Sequence, residues 1–413
     1  MYLTIFEEVE QTSQESLAID AASLYQAFEQ VKDGRGKKGK RYPLAFILTV
    51  IMLGKMAGET RIDGIIDWIY ERRGEIKKLL SWPKGFPSES TYICALMKCD
   101  HHEVAKVIAQ VIVKARAVEQ CHNEPSRLVA QKEQKSDDLI HTAVDGKVLR
   151  GTLKHGREDQ PPVHLLSFYE CESGIVLDQF LVDSKKNEEP ACKAILHPLL
   201  VKGRIISGDS IFSCRDWCAA IHAYKGYYAI PLKENNSAVL RNLTEFFMDE
   251  GIDRKEFHYH KETNKGHGRL EIREIWTSTQ MNEFFEKDWA GIAQVFMIRK
   301  KIKEKDEERR EIMYGITSVS RKVADAMRLL DLNRKHWHVE NRLHYRRDVT
   351  LGEDTSQVRS RGAPEVIAAL NGGILALMDF LGVKNVAKQM SHFCAQPREA
   401  LQLLLGKLSR ENG

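Results

Sequence analysis

The sequence predicts an α/β protein: a mixed sheet in the order βββαβαβ and then α, preceded by a helical domain and interrupted by a β-rich insertion. Three observations point there. Through residues 1–125 apolar residues recur at helical spacing. From Leu139 they give way to short apolar, β-branched runs bounded by turn residues. From about Asn236 to Leu330 the chain is mixed and strand-rich, and the helical period returns after Ala324.

The helical part carries its period in SLYQAFEQV, PLAFILTVIMLGKMAG and HHEVAKVIAQVIVKARAVEQ. Pro43 stands where a helix can begin and Gly58 where one can end. Ser88 or Ser90 in GFPSESTY offers an N-cap. The helix after it, STYICALMK, is a candidate recognition helix, on a weak helix-turn-helix signal. The polar stretch at 126–138 reads as a linker. LIHTAVDGKVLRG then reads as a strand, and VHLLSFYECESGIVLDQFLVD as two strands about a Ser173-Gly174 turn. EEPACKAILHPLLV is a helix, GRIISGD a strand, CRDWCAAIHAYKG a helix and YYAIPLK a strand, completing a core segment over 139–235. In 236–330, RLEIREIWTS is a strand and AQVFMIRKKIKEKDEERREIMYGITSV a hairpin with a charged tip. Helices close the chain over 331–413, among them PEVIAALNGGILALMDFLG and PREALQLLLGKL.

With 413 residues, the chain is long enough for two or three domains. Its net charge of +4 says little, but the distribution says more. Lys32 to Arg41 holds six basic residues and one acid, and Arg334 to Arg347 holds five Lys/Arg and three His. Such clusters suit a polyanion, nucleic acid first; either alone is equally consistent with a solvated surface. Lys37, Lys38, Lys40 and Arg41 are expected to contact phosphates without sequence preference. The eight cysteines show no CxxC pair and no signal peptide is evident, which fits a reducing cytoplasm. The longest apolar run, LAFILTVIML, is too short to span a bilayer, so no membrane partner is expected.

Three carboxylates stand out. Asp145 sits within the first strand, among Ala and Val, where an acid is costly unless a metal, a cation or hydrogen bonds offset it. Asp209 ends the fourth strand, and strand ends are where open α/β sheets build sites. Glu340 lies in the basic, aromatic stretch HWHVENRLHYRR, on a helix that turns Val339 and Leu343 to the core. Either aspartate alone is more simply a turn or cap. Together the three are the ligand set for two Mg²⁺ ions, with Mn²⁺ able to substitute. Lys147 and Arg150 flank Asp145 and are expected to meet phosphate near the metals. Two zinc readings compete: His336, Glu340 and His344 on one helix, and Cys214, Cys218 and His222 on another.

These blocks resemble the DDE transposases of bacterial insertion sequences, in the ISAs group of H-repeat-associated proteins. AVDGKVLRG resembles the family's first aspartate block, ISGDSIFSC its second, NKGHGRLEIR a block ahead of the insertion's strands, and HWHVENRLHYRRDVTLGED its glutamate block. The N-terminal DGRGKKGKRYPLAFILTVIMLGKMAG and PSEST resemble the associated helical domain. The resemblance implies an RNase H-like fold, with Asp145, Asp209 and Glu340 as catalytic, metal-binding triad. It implies Mg²⁺-dependent cleavage at insertion-sequence ends, strand transfer into target DNA, and a homodimer on DNA. The 131 positions from Asp209 to Glu340 then hold an inserted β-rich domain. Lys233, His267, Arg269, His336, Arg342, Arg346 and Arg347 join the expected DNA contacts. The sequence departs from a wider group's Tyr-Arg-Glu-Lys pattern at Asn333, His336 and Arg347. A nuclease or resolvase of the same fold without strand transfer, or a domesticated noncatalytic DNA-binding protein, would share much of this pattern.

Overall fold

Ser23 opens the first helix, α1 (Leu24–Glu29), its hydroxyl accepting a hydrogen bond from the Gln26 amide at 3.2 Å. This computed structural model describes residues 23–80, 85–123, 139–152, 163–182, 195–233, 236–251, 254–266, 269–304, 307–360 and 362–406. Pro43 caps α2 (Leu44–Met56), all of which is buried, as expected of a helix apolar on every side. The chain turns out of it at Gly58, whose φ of +99° suits glycine. α3 (Ile62–Glu71), α4 (Arg73–Leu79), α5 (Glu89–Met97) and α6 (His101–Asn123) complete the N-terminal helices, with Ser88 at the N-cap of α5. β1 (Ile140–Val148), β2 (His164–Glu170) and β3 (Ile175–Val182) follow.

Of the helix expected over 188–201, α7 (Pro198–Val201) is seen; 188–194 and the 126–138 linker lie outside the described residues. Then come β4 (Arg204–Gly208), α8 (Arg215–Ala223) and β5 (Tyr227–Leu232). A helix within the segment expected to be strand-rich, α9 (Ser237–Met248), follows. It buries Val239, Leu243, Phe246 and Phe247, a spacing legible as helical. β6 (His258–Gly266), β7 (Arg269–Ser278), α10 (Asn282–Phe285), β8 (Gln294–Glu304) and β9 (Glu307–Thr317) make up the strand-rich segment. α11 (Ala326–His336) leads into two π-helical turns, Val339–His344 and Arg346–Thr350. α12 (Ala363–Phe380), α13 (Val386–Ala395) and α14 (Pro397–Leu404) end the described chain.

These elements form two compact units. The first comprises residues 1–134, 146–183 and 340–413; the second comprises 135–145 and 184–339. In the second unit the strand order is β1-β4-β5-β9-β8-β7-β6. β4 runs parallel to both β1 and β5, and the strands from β9 to β6 are antiparallel. The strand-rich segment thus extends the sheet edge to edge, with Ala229 of β5 opposite Thr317 of β9. Ile205, Ile275, Phe296, Ile298, Leu329 and Leu330 form its core, which seats α11 on the sheet.

In the first unit, the β2–β3 hairpin turns at Gly174, whose φ is +73°. A Cβ there would sit 2.5 Å from an Asp379 carboxylate oxygen, so only glycine fits on both counts. α12 is long and apolar enough to cross a bilayer, but 89% of it is buried within the protein.

Lys55 is 1% exposed in α2, its Nζ 3.4 Å from the Leu351 carbonyl. Burial pulls its pKa down to about 8, with Glu353 opposing. Below pH 8 both folded and unfolded chains carry the proton, so the cost of burying the charge is constant. Between there and the unfolded value of 10.5 the unfolded chain binds more protons, and stability rises with pH. Lys55→Met is therefore expected to raise the neutral-pH melting temperature of the first unit, by on the order of 1–3 kcal/mol in stability. Melting curves across pH 7–10 are expected to show the advantage narrowing on the alkaline side. A variant that melts lower at pH 7 would mean that the ammonium is a net stabiliser.

Candidate active site

Parallel pairing of β1 with β4 places Val144 opposite Gly208. The next residue on each strand is an aspartate, so Asp145 and Asp209 stand side by side on adjacent parallel strands. Both lie in the second unit. Asp209 leaves the strand as the N-cap of a 3-10 turn, Ser210–Phe212, its Oδ1 accepting from the Ile211 amide at 2.8 Å. Gly208 allows that turn to fold back: a Cβ would sit 2.5 Å from the Phe212 ring. Asn236 fastens its far end, donating through Nδ2 to the Ser213 carbonyl at 2.5 Å and to Oγ at 2.8 Å.

Behind the aspartates runs a polar chain that the sequence did not reveal. His141 of β1 lies 2.7 Å through Nε2 from the Ser207 hydroxyl, which lies 2.9 Å from Nδ1 of His336. His141 sits four residues before Asp145 and Ser207 two before Asp209; only the strand pairing brings them together. Burial pushes both imidazoles below their usual range. At His336 the negative charge of Asp145 opposes that shift, so the ring lies within electrostatic reach of the carboxylate. His336, expected on DNA, has a partner within the protein in the Ser207 hydroxyl.

The histidines give a titration test. His102 of the first unit, 2.7 Å from Asp178, has its pKa raised by that hydrogen bond, against burial. NMR titration is expected to place His102 above, and His141 well below, the ordinary 6.5. The linkage signs are opposite. His102 contributes stability that is complete below 6.5 and lost as pH rises through its folded value. The stability that depends on neutral His141 is complete above 6.5 and lost as pH falls below it. A His141 ring titrating at 6.5 or above would contradict its burial between the strands.

Glu340 lies in the first unit, exposed, near the start of the first π-helical turn; Leu343 of that turn is wholly buried. π-Helical turns are rare overall and are frequent at functional sites. Among the described residues, no group of three or more His, Cys, Asp or Glu is placed to hold a metal ion. Neither the two zinc readings nor Asp145, Asp209 and Glu340 together form an assembled three-ligand cluster there. Cys214 caps α8, accepting through Sγ from the Trp217 amide at 3.3 Å, and burial pushes the Cys218 thiol up.

Several expected phosphate contacts have partners within the protein instead. Arg347 is fully buried in the first unit, its Nε 2.8 Å from a Glu353 carboxylate oxygen, and Asn371 donates to the same carboxylate. A sealed guanidinium cannot meet DNA without leaving this pair, which corrects its expected role. Lys147 is buried and paired with Asp348, and Arg346 makes a two-pronged bond to Asp379 at 2.7 Å on both arms. Arg150 stays exposed near Asp354, and Arg269 pairs with Glu271 at the surface. Lys37, Lys40, Arg41, Lys233 and Arg342 are exposed. Nothing is described of the Lys38 side chain, and His267 lies outside the described residues.

Residues 137–374 match the family described as "Transposase DDE domain", and residues 25–112 match "DDE_Tnp_1-associated". "Putative transposase YncI" of Escherichia coli O157:H7 is 26% identical over 373 residues, covering 89% of this chain and 90% of its own. "H repeat-associated putative transposase YhhI" of Escherichia coli strain K12 is 30% identical over 241 residues, covering 57% of this chain and 63% of its own. A solved piggyBac transposase synaptic complex with hairpin DNA aligns with 95% of this chain and 78% of its own, at 10% identity and a TM-score of 0.41.

Proposed function

Because the chain belongs to the family described as "Transposase DDE domain", we propose that it cleaves DNA at the ends of an insertion sequence and joins those ends to target DNA. The observation that carries this reading is the pair Asp145 and Asp209, set abreast by the Val144–Gly208 register. Two carboxylates on adjacent parallel strands offer hard oxygens and leave room for water, a donor set that fits Mg²⁺ or Mn²⁺. In this reading Asp145 and Asp209 hold the metal, and Glu340 completes the ligand set. A bound pair of such ions supplies charge stabilisation for the attacking and leaving oxygens of a phosphodiester.

The chain's own residues do the rest. The Ile211 amide and the Asn236 clamp fix the Asp209 turn, so one carboxylate oxygen is committed and the carboxyl direction is set. The His141–Ser207–His336 chain holds the strand ends and α11 in place beneath the pair. Exposed Lys233 and Arg342 offer positive charge for the DNA backbone, and two copies of the chain act together on paired ends. The RNase H-like arrangement is the fold this reading assigns to the strands around Asp145 and Asp209.

The test is incubation of the full chain with Mg²⁺ and duplexes carrying its element's ends. Nicked ends and joined products are expected. Nicks without joining would reduce the protein to an endonuclease, and intact DNA would refute the reading.

A further inference from the structure

A second polar site lies in the N-terminal helices, outside the residues discussed so far. Arg35 is 5% exposed, yet it pairs only on one side. Its Nε and Nη2 donate to Asp33 at 2.9 and 2.8 Å, and Nη2 also to the Tyr42 carbonyl at 2.6 Å. The remaining nitrogen, Nη1, is buried with no hydrogen-bond partner among the described residues. An unpaired guanidinium N–H in the interior is costly, and a native protein that keeps one calls for an explanation.

Arg35 forms part of the wall of a groove of about 650 Å³. The start of α5 also lines it. Ser88, Ser90 and Thr91 line the groove there, and Arg41 and Cys94 join them. Ser88 occupies the N-cap but makes no capping bond; its hydroxyl lies 3.1 Å from both the Ser90 and Thr91 hydroxyls. The first-turn N–H groups of a helix have no partner within the helix, and its dipole favours an anion there. The acid in that turn, Glu89, is exposed and does not line the groove. A buried half-paired guanidinium, a second arginine, three hydroxyls and an uncapped helix start thus converge on one space. All of it lies within the first unit.

We propose that this groove binds one phosphodiester of the DNA backbone. Phosphate oxygens supply the acceptors that Arg35 lacks, and the hydroxyls and first-turn amides of α5 take the rest. Lys37 and Lys40, exposed on the adjoining loop, add screened attraction around it. The site would fix where the N-terminal helices sit on a duplex without reading its bases. This proposal rests on the DNA-acting reading above, but its test needs no cleavage.

The test is binding of the full chain to a mixed-sequence duplex across a salt series, with Ser90→Asp as the variant. Ser90 is exposed, and an acid in the first turn favours the helix, so the substitution leaves α5 folded while repelling phosphate. Ser391→Asp, the same charge change on an exposed position of α13, is the control. Ser90→Asp is expected to weaken binding roughly tenfold or more. It is also expected to flatten the log–log salt slope by about 0.9, one phosphate contact. Ser391→Asp is expected to change neither. In the wild-type chain, the duplex is expected to slow alkylation of Cys94, which is exposed and lines the groove. If the chain binds DNA but Ser90→Asp behaves like the control, or Cys94 stays equally reactive, the phosphate site is wrong and the transposase reading stands. If inorganic phosphate raises the melting temperature of wild type and not of Ser90→Asp, while DNA affinity is unmoved, the groove takes a free anion and the DNA assignment fails. A wild-type chain that binds no duplex overturns both.

Discussion

Asp145→Asn and Asp209→Asn are each expected to lower end cleavage by on the order of 10³-fold or more, while duplex binding persists. Each substitution keeps the side-chain shape and removes one charge from the pair set abreast by β1 and β4. The Asp209 variant retains an oxygen for the Ile211 amide, so the 3-10 turn survives and a loss of activity does not come from unfolding. The contacts expected to hold the backbone, such as Lys233 and Arg342, are unaltered. Binding is expected to stay the same or tighten as repulsion from phosphate falls. Glu340→Gln gives the same loss if the π-helical glutamate joins the aspartates during the reaction. The measurement is a labelled element-end duplex with Mg²⁺ on a denaturing gel, beside a gel shift of the same DNA. Wild-type cutting by either aspartate variant would remove the pair from the chemistry. Wild-type cutting by Glu340→Gln alone would leave a two-carboxylate site.

The second large effect is on stability. Arg347 and Glu353 are 0% and 3% exposed, and Asn371 donates to the same carboxylate at 2.8 Å. The neighbouring arginine holds the Glu353 carboxyl below its usual range although burial opposes this. Removing one partner strands the other charge in the interior, so Arg347→Ala is expected to cost about 3–5 kcal/mol. Replacing both, as Arg347→Met with Glu353→Met, is expected to recover most of that loss, since apolar residues of similar size remove both desolvation penalties. Urea unfolding of the full chain reads the shift through the first unit's transition. A single alanine variant with an unmoved midpoint would show that the pair contributes nothing. Cleavage restored together with stability in the double variant would confirm that Arg347 serves packing rather than phosphate.

Local pattern placed most of the elements. The runs LIHTAVDGKV and GRIISG became β1 and β4, and RLEIREIWTS became β7 residue for residue. Gly174 marked its turn because only glycine takes that backbone at no steric cost. The helix α9 has helical apolar spacing in Val239, Leu243, Phe246 and Phe247, but it adjoins a charged, strand-rich sequence that masks that short period.

The candidate site divides in the same way. Asp145 and Asp209 were legible as acids at strand positions, since a carboxylate among Ala and Val or at a strand end is conspicuous in one dimension. That they are neighbours is a property of register, and a shift of one residue would turn one of them to the other face. The basic residues show the converse. A cluster of basic residues does not distinguish a surface from an interior, because their partners come from elsewhere: Glu353 and Asp379, which pair with Arg347 and Arg346, lie beyond the cluster, and Ser207, bonded to His336, lies 129 positions before it. Local propensity and periodicity act over a few residues, and they determined the strands, the helices and the acids they carry. Burial and pairing of charge depend on which distant groups pack together, so tertiary structure alone separated Arg347 in the core from Arg342 at the surface.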